Sequence, residues 1–462
     1  MPINSKHPQL SEYQDIYEFL EDFYDGEQTV KKKASKYVPR LSGQNISKFR
    51  DYVNRGMFYS AFSKTIDALT GSTFSVPPTL NLPPKLEYLK DDATGKGTSL
   101  TELAIALCVE ALKTGRVGLF VDRPTDGGKP YFVMYDCNDI TNWRDNHFIV
   151  LKNEQLIPKE DDPYEFKEVE GYRELALIDG EYVVNIWSRK DKSNNFEIME
   201  TIVPQKFGKP LDYIPFTFIG PNGLDSDIGR PPLLDLANVQ RTLFSVNCDY
   251  ANGLHVSCIP TPYITGLNND GGNFELKVGS DSCIILPEPN SKVGYLEFQG
   301  QGLEPVSKYI DKLELTMAAL GARVAEQKNN KTLIETATGS RIREALSVST
   351  LGAILATVES ALNKCCKWAA EWEGADPSEV GITLNKELIS ANIDANMVTA
   401  LMQAVQSGLI SQKTFYKKLS DAGLTEPGVS AEQEMLRISD STLTNSQTQQ
   451  QNTQGIDNQQ NL

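Results

Sequence analysis

Imidazole chemistry has little to draw on in this chain: His7, His147 and His255 are its only histidines in 462 residues. His147 follows Asp145 in a polar stretch and reads as a solvated loop residue. His7 is placed in a mobile terminus, and His255 near a helix end, where a cation can cap carbonyls. The cysteines (108, 137, 248, 258, 283, 365 and 366) are odd in number and scattered, with no Cys-x-x-Cys pair. Metal and disulfide frameworks both want closer, paired spacing, so reduced thiols of a cytosolic chain are expected. Cys365 and Cys366 fall inside a helical pattern, where adjacent side chains point different ways, which favours packing. Neither Gly-x-Ser-x-Gly nor His-Glu-x-x-His occurs. Thr94-Gly95-Lys96-Gly97 fails as a phosphate loop, because Lys90 stands at the upstream glycine position and Gly97 where Ser or Thr must follow the lysine. Gly300-Gln301-Gly302 fails as a dinucleotide fingerprint, since Pro305 takes the third-glycine position. Carboxylate pairs exist at Asp91-Asp92, Asp161-Asp162 and Asp225/Asp227, all in polar loops where a solvated or turn-forming role is expected. The residues thus argue against an enzyme, a cofactor or a metal.

Charge narrows the field further. Lys and Arg number 45 against 61 Asp and Glu, a formal −16. Such a surface repels phosphate backbones and does not wrap DNA tightly. DNA that slides past it is another matter, since every phosphate contact would slow the sliding. With 40% hydrophobic residues most of the chain is expected to fold. No run approaches the eighteen or so apolar residues of a membrane span, and the N-terminal MPINSKHPQLSEYQDIY lacks a signal peptide's basic and apolar regions.

The elements alternate in texture. Leu10, Tyr13, Ile16, Tyr17, Leu20 and Tyr24 have helical spacing, and a second helix is predicted over 45–70 with Gly71 as its C-cap. Residues 74–90, with Pro77-Pro78 and Pro83-Pro84, read as an extended crossing. Ser99 and Glu102 form a capping box for a helix over 100–114, ended by Gly115. Strands are predicted at 118–122, 131–135, 148–151, 172–178, 182–187, 196–202 and 214–218, with the acidic stretch 152–170 as a mobile hairpin tip. Pro231-Pro232 then opens a helix to about 254, a β excursion fills 258–303, and a helix resumes from Pro305 to about Leu320. After a polar stretch comes a long helix over 340–373, then shorter helices broken near Gly408, Gly423 and Pro427. From Ser441 the chain is Gln, Asn, Thr and Ser, too polar to repay the entropy of ordering. Lys31-Lys32-Lys33 reads as a solvated run, with an acidic partner surface as the alternative. Trp143, Trp187, Trp368 and Trp372 are expected in a core or a subunit interface. The fold class is α+β.

Certain stretches carry a resemblance. They are Lys36-Tyr37-Val38-Pro39-Arg40-Leu41-Ser42-Gly43, Arg55 with Phe62, Thr65 and Leu69-Thr70-Gly71, Gly115 to Asp122, and Tyr135 with Ile140-Thr141-Asn142-Trp143. Further on come Pro231 to Asn238, Asp249 to His255, Tyr295 to Leu303, Met317 to Arg323, Glu335 to Glu344 and Trp368 to Trp372. On these the chain resembles tailed-bacteriophage portal proteins, of a group sharing an otherwise uncharacterised portal-like domain. The resemblance implies a homo-oligomeric ring, commonly dodecameric, at one vertex of the capsid, conducting double-stranded DNA during packaging and ejection. Terminase, a head–tail adaptor and the major capsid protein would be its partners. Its location would be the virion, with assembly in the host cytoplasm and no membrane involved.

The resemblance also implies a division of the chain: 1–230 a wing, 231–254 and 305–322 paired stem helices, and 255–304 a β-containing clip. In the same way, 323–340 would be a tunnel loop, 341–375 a long wing helix, 376–440 a small helical crown and 441–462 a disordered tail. Gly253, Pro260 and Pro262 suit an abrupt turn from stem into clip, and Arg323, Lys328 and Lys331 would touch passing DNA phosphates, against the alternative of an ordinary charged loop. Two other readings stay open: an oligomeric head–tail connector or scaffold without a DNA channel, and a soluble acidic enzyme acting on polysaccharide.

Overall fold

A computed structural model describes residues 3–40, 42–124, 127–153, 155–158, 162, 164–189, 195–258, 261–266, 290–296, 302–321, 337–386, 395–421, 425, 432–434 and 436–437. The chain divides into two compact units, Met1–Lys386 and Glu387–Leu462. It is α+β, as its patterning predicts.

Helices open the first unit: α1 (Pro8–Asp25), α2 (Glu27–Lys32), α3 (Ala34–Tyr37), α4 (Ile46–Arg55) and α5 (Ala61–Phe74). A short strand β1 (Thr79–Asn81) and a 3-10 turn (Pro84–Lys90) lead to α6 (Leu100–Thr114). Strands follow: β2 (Val117–Asp122), β3 (Tyr131–Tyr135), β4 (Ile140–Arg144), β5 (Phe148–Lys152), β6 (Gln155–Pro158), β7 (Phe166–Val169), β8 (Gly171–Ile178), β9 (Glu181–Arg189), β10 (Phe196–Ile202), β11 (Gln205–Lys206), β12 (Lys209–Pro210) and β13 (Phe216–Ile219). Then come α7 (Leu234–Ser257), β14 (Thr261–Thr265), β15 (Lys292–Leu296), α8 (Leu303–Ala319), α9 (Ala337–Glu373) and β16 (Gly381–Thr383). The second unit holds α10 (Ala395–Gln406) and α11 (Gln412–Asp421), parted near Gly408 in a left-handed conformation.

Two antiparallel sheets organise the body. One runs β10-β9-β8-β5-β4, the other β13-β2-β3. Every residue of β2 is buried, because α6 and α9 pack on that strand. The described part of α9 buries Leu351, Ile354, Leu355, Val358, Leu362, Cys365 and Cys366, so the paired thiols are packing residues as expected. Burial pushes the Cys366 thiol far above its ordinary range. Trp372 is buried and Trp368 stacks on Tyr213 at 5.3 Å. Asn363 extends the order to β16, donating to Ile382 O and accepting from Ile382 N, both at 2.8 Å.

The capping box on α6 is present. Ser99 Oγ accepts from Glu102 N at 3.2 Å, Glu102 Oε2 accepts from Ser99 N at 2.7 Å, and left-handed Gly115 closes the helix.

Three expectations are corrected. The helix of 45–70 is two helices, α4 and α5, and Gly71 lies inside the second, which runs on to Phe74. The break falls at Gly56, where a Cβ would sit 2.3 Å from Cys248 Sγ, so the link is pressed against α7. The crossing 74–90 is not wholly extended: Pro84 starts a 3-10 turn, whose tighter period buries Leu86 and Leu89 together. The acidic stretch 152–170 contains a paired hairpin, in line with its reading as a hairpin tip, with Gln155 opposite Val169 and Pro158 opposite Phe166.

His7 is the third correction. It caps α1, accepting from Gln9 N at Nδ1, and its ring stacks on Trp143 at 3.8 Å. Trp143 also carries the guanidinium of buried Arg116, 4.0 Å from its ring centroid, and Arg116 Nη1 donates to Ser226 O at 2.6 Å. Burial lowers the Arg116 pKa to about 10. His7 is lowered from its usual value by burial and then by Arg116. Gln9 fastens the same segment, donating to Asp227 Oδ1 at 2.9 Å.

Candidate assembly surface

The helix anticipated from Pro231-Pro232 is α7, but it starts at Leu234 with both prolines ahead of its cap Leu233, and its 24 residues span about 36 Å at ~1.5 Å per residue. Its two halves differ. The first buries Leu236, Ala237, Gln240, Leu243, Phe244 and Cys248 against the body. Gln240 is nearly inaccessible and its Oε1 accepts from Phe62 N at 2.8 Å, holding the start of α5 to α7. Phe244 meets Phe58 edge-on at 5.5 Å.

Polar contacts mark where that anchoring stops. Tyr52 donates to Asp249 Oδ1 at 2.6 Å, Arg55 Nη1 to Asn252 Oδ1 at 3.4 Å, and Asn247 Nδ2 to Met57 O at 3.1 Å. Burial and then the Asp249 carboxylate raise the Tyr52 pKa, which keeps the hydroxyl a donor. Past Asn252 the helix presents Leu254 and Val256 at 41% and 48% exposure.

Beyond α7, the β14–β15 hairpin pairs Thr261 with Leu296 and Thr265 with Lys292. Its Tyr263, Tyr295 and Leu296 are 47%, 52% and 68% exposed. The chain returns as α8, which packs on α7 and buries only Leu313 and Met317, leaving Tyr309, Leu315 and Leu320 exposed. Gly253 lets the helices meet: a Cβ there would lie 2.7 Å from Leu303 Cδ2. Glu314 on α8 is raised from its ordinary value by burial and then by Asp311.

A two-stranded hairpin is marginal by itself in water, and exposed apolar side chains clustered on a projection mark an interaction surface. The described residues of these two helices and two strands thus form a candidate interaction surface.

Gly253 lies inside α7, which continues to Ser257; the turn it was expected to make is not there, and its smallness serves the approach of Leu303 instead. Pro262 sits in β14 opposite Tyr295. Pro260, Arg323, Lys328 and Lys331 lie outside the described residues. The Tyr52–Asp249 and Arg55–Asn252 anchors escaped sequence reasoning. Each joins residues 197 positions apart, and no local pattern signals such a pair. Among the described residues no three His, Cys, Asp or Glu side chains gather as a metal site, and no helix is long and apolar enough to cross a membrane.

Residues 232–373 match a family model described as a domain of unknown function (DUF4055). That segment begins just before α7 and ends with α9. No curated protein matches the chain. Among solved structures, a chain from the virion of a native gene transfer agent particle is similar at 15% identity and TM-score 0.41, covering 85% of this chain and 97% of that one. A chain from the neck of an empty gene transfer agent particle, computed with C6 symmetry, has 15% identity and TM-score 0.42 over 84% of this chain and 96% of that one. A third, from the neck of the native particle computed with C12 symmetry, has 15% identity and TM-score 0.40 over 84% and 95%.

Proposed function

We propose that this chain is the subunit of a phage-type portal, a homo-oligomeric ring at the capsid vertex through which double-stranded DNA is packaged and ejected. The observation that carries the reading is the stalk. Two paired helices leave an anchored body, and the described hairpin between them exposes Tyr263, Tyr295 and Leu296. Copies arranged head to tail around an axis would cover those side chains, and a heterologous contact that closes makes a ring. The portal-like motifs support the same reading, as does a net charge of −16, which disfavours tight contacts along a DNA path.

In this reading 1–230 is the wing, α7 and α8 are the stem, 255–304 is the clip facing terminase and later the head–tail adaptor, and 376–440 is the crown. Arg323, Lys328 and Lys331 form the basic part of the tunnel loop, brushing phosphates as the duplex moves. A ring tolerates few such contacts, because each slows passage.

Negative-stain images of the purified chain, with its mass in solution, test the reading. A closed ring with a hole wide enough for a DNA duplex supports it. A ring without a hole favours a connector or scaffold, and a monomer at every concentration contradicts it. Neutralising Lys328 and Lys331 then tests the tunnel loop: packaged genome length or DNA retention changes, and an unchanged result removes those lysines from the mechanism.

A further inference from the structure

Away from the stalk, α2, α3 and α4 enclose an open groove of about 840 Å³. Its cationic lining is Lys31, Lys32, Arg40 and Arg50, against the single acid Glu27. Lys31 is engaged, at 2.7 Å from Glu27 and 3.0 Å from Asn54 O. Lys32, Arg40 and Arg50 have no carboxylate partner among the described residues. The groove is also apolar in part: Phe49 and Val53 are buried in its wall, while Ile46 stands 59% exposed at its edge. In a chain of net charge −16, three unpaired cations beside an apolar wall ask for an acidic occupant with a hydrophobic group.

The same chain carries such a segment. Residues 152–170 hold seven acidic residues against three lysines. Tyr164 and Phe166, which follow the Glu160-Asp161-Asp162 run, are 89% and 57% exposed. Asp162 Oδ1 accepts from Tyr164 N at 2.9 Å, which fixes the chain entering the tyrosine. No described residue of this hairpin lines the groove of its own chain.

We infer that the β6–β7 hairpin of one copy seats Tyr164 and Phe166 in the α2–α4 groove of the next copy, its carboxylates meeting Lys32, Arg40 and Arg50. The two surfaces differ, so the contact is head to tail, the class that closes into rings. Two aromatic rings each bury on the order of 150–250 Å² in such a seat. A DNA backbone would use the cations but gain nothing from Phe49, Val53 and Ile46, so a second copy is the better occupant. The inference rests on the ring reading.

Its test uses the full-length chain with Tyr164→Cys and Ile46→Cys together. Under mild oxidation the assembled particles should give a ladder of covalent multimers on a non-reducing gel, and a mixture of the two single variants should stop at dimers. The triple variant Lys32→Glu, Arg40→Glu, Arg50→Glu should weaken self-association about tenfold or more. Adding Glu160→Lys, Asp161→Lys and Asp162→Lys should restore it, with circular dichroism reporting that each variant folds. Intact rings without the ladder would overturn this contact and leave the ring reading standing; a chain that never assembles would overturn both. A triple charge variant that assembles normally but loses affinity for a DNA fragment would give the groove to nucleic acid instead.

Discussion

The body around Arg116 and the stalk beyond Asn252 treat their awkward groups in opposite ways. In the body, a buried guanidinium lies 4.0 Å from Trp143 and 4.6 Å from Phe218, and His7 stacks on the same indole. Asp22, another buried charge, is held by Lys33 at 2.7 Å and by the Tyr37 hydroxyl. On the stalk, large apolar side chains at 254, 256, 263, 295, 296, 309 and 315 remain in water. Around Arg116 the body surrounds its buried charges with residues of the same chain, whereas the stalk keeps its apolar side chains exposed. Substitutions should therefore act on stability in the first region and on assembly in the second.

The largest effect is expected in the body. Arg116→Ala empties the site of a large, fully buried side chain, removes the cation from two aromatic faces and leaves Ser226 O without its donor, a loss of about 3–5 kcal/mol in denaturant unfolding of the monomer. A loss below about 1 kcal/mol would show that the body does not depend on this centre. On the stalk, Tyr295→Asp with Leu296→Asp should cost about 2 kcal/mol or more per residue in self-association, near the level of interface hot spots. Monomer stability should move by no more than about 0.5 kcal/mol, as for other surface changes. Equal losses in both assays would erase the contrast between the regions.

A pH-dependent effect is expected at Glu21. Burial, with Asp136 and Glu110 nearby, outweighs Lys113 and the hydrogen bond from Asn138 and pushes its carboxyl up to about 7. Its folded pKa exceeds the unfolded value, so its contribution is complete at low pH and declines as pH rises from about 4.5 through 7. Discounted for partial exposure, that decline is about 1–2 kcal/mol. Glu21→Gln should remove it, flattening this part of the stability profile between pH 5 and 8, whereas an unchanged profile would place the titration elsewhere. The smallest loss belongs to Ser99→Ala, about 1 kcal/mol by thermal unfolding, since the capping box secures one helix end only.

How much of this was legible depended on the range of each interaction. Ser99, Glu102 and Gly115 announced α6 because caps are local chemistry. Strand β3 at Tyr131–Tyr135 matched its predicted limits for the same reason: turn residues flank a short apolar run. Helices α7 and α8 were legible from periodicity, and of the β excursion between them the described part is β14 and β15. Not legible were the anchors that end the stalk, Tyr52 with Asp249 and Arg55 with Asn252, which exist only once α4 lies against α7. His7 read as a terminal residue because nothing near it in sequence announces Trp143. Gly253 read as a turn, since a glycine excused by the next helix's Leu303 looks the same in sequence as one that bends the chain.

Backbone hydrogen exchange, compared between the assembled particle and the dissociated monomer, tests the central claim most directly. Amides of 249–258, 261–265, 292–296 and 303–320 should gain protection on assembly, while those of α6 and β2 stay as they are. Assembly that leaves the stalk amides exchanging as in the monomer would contradict the account.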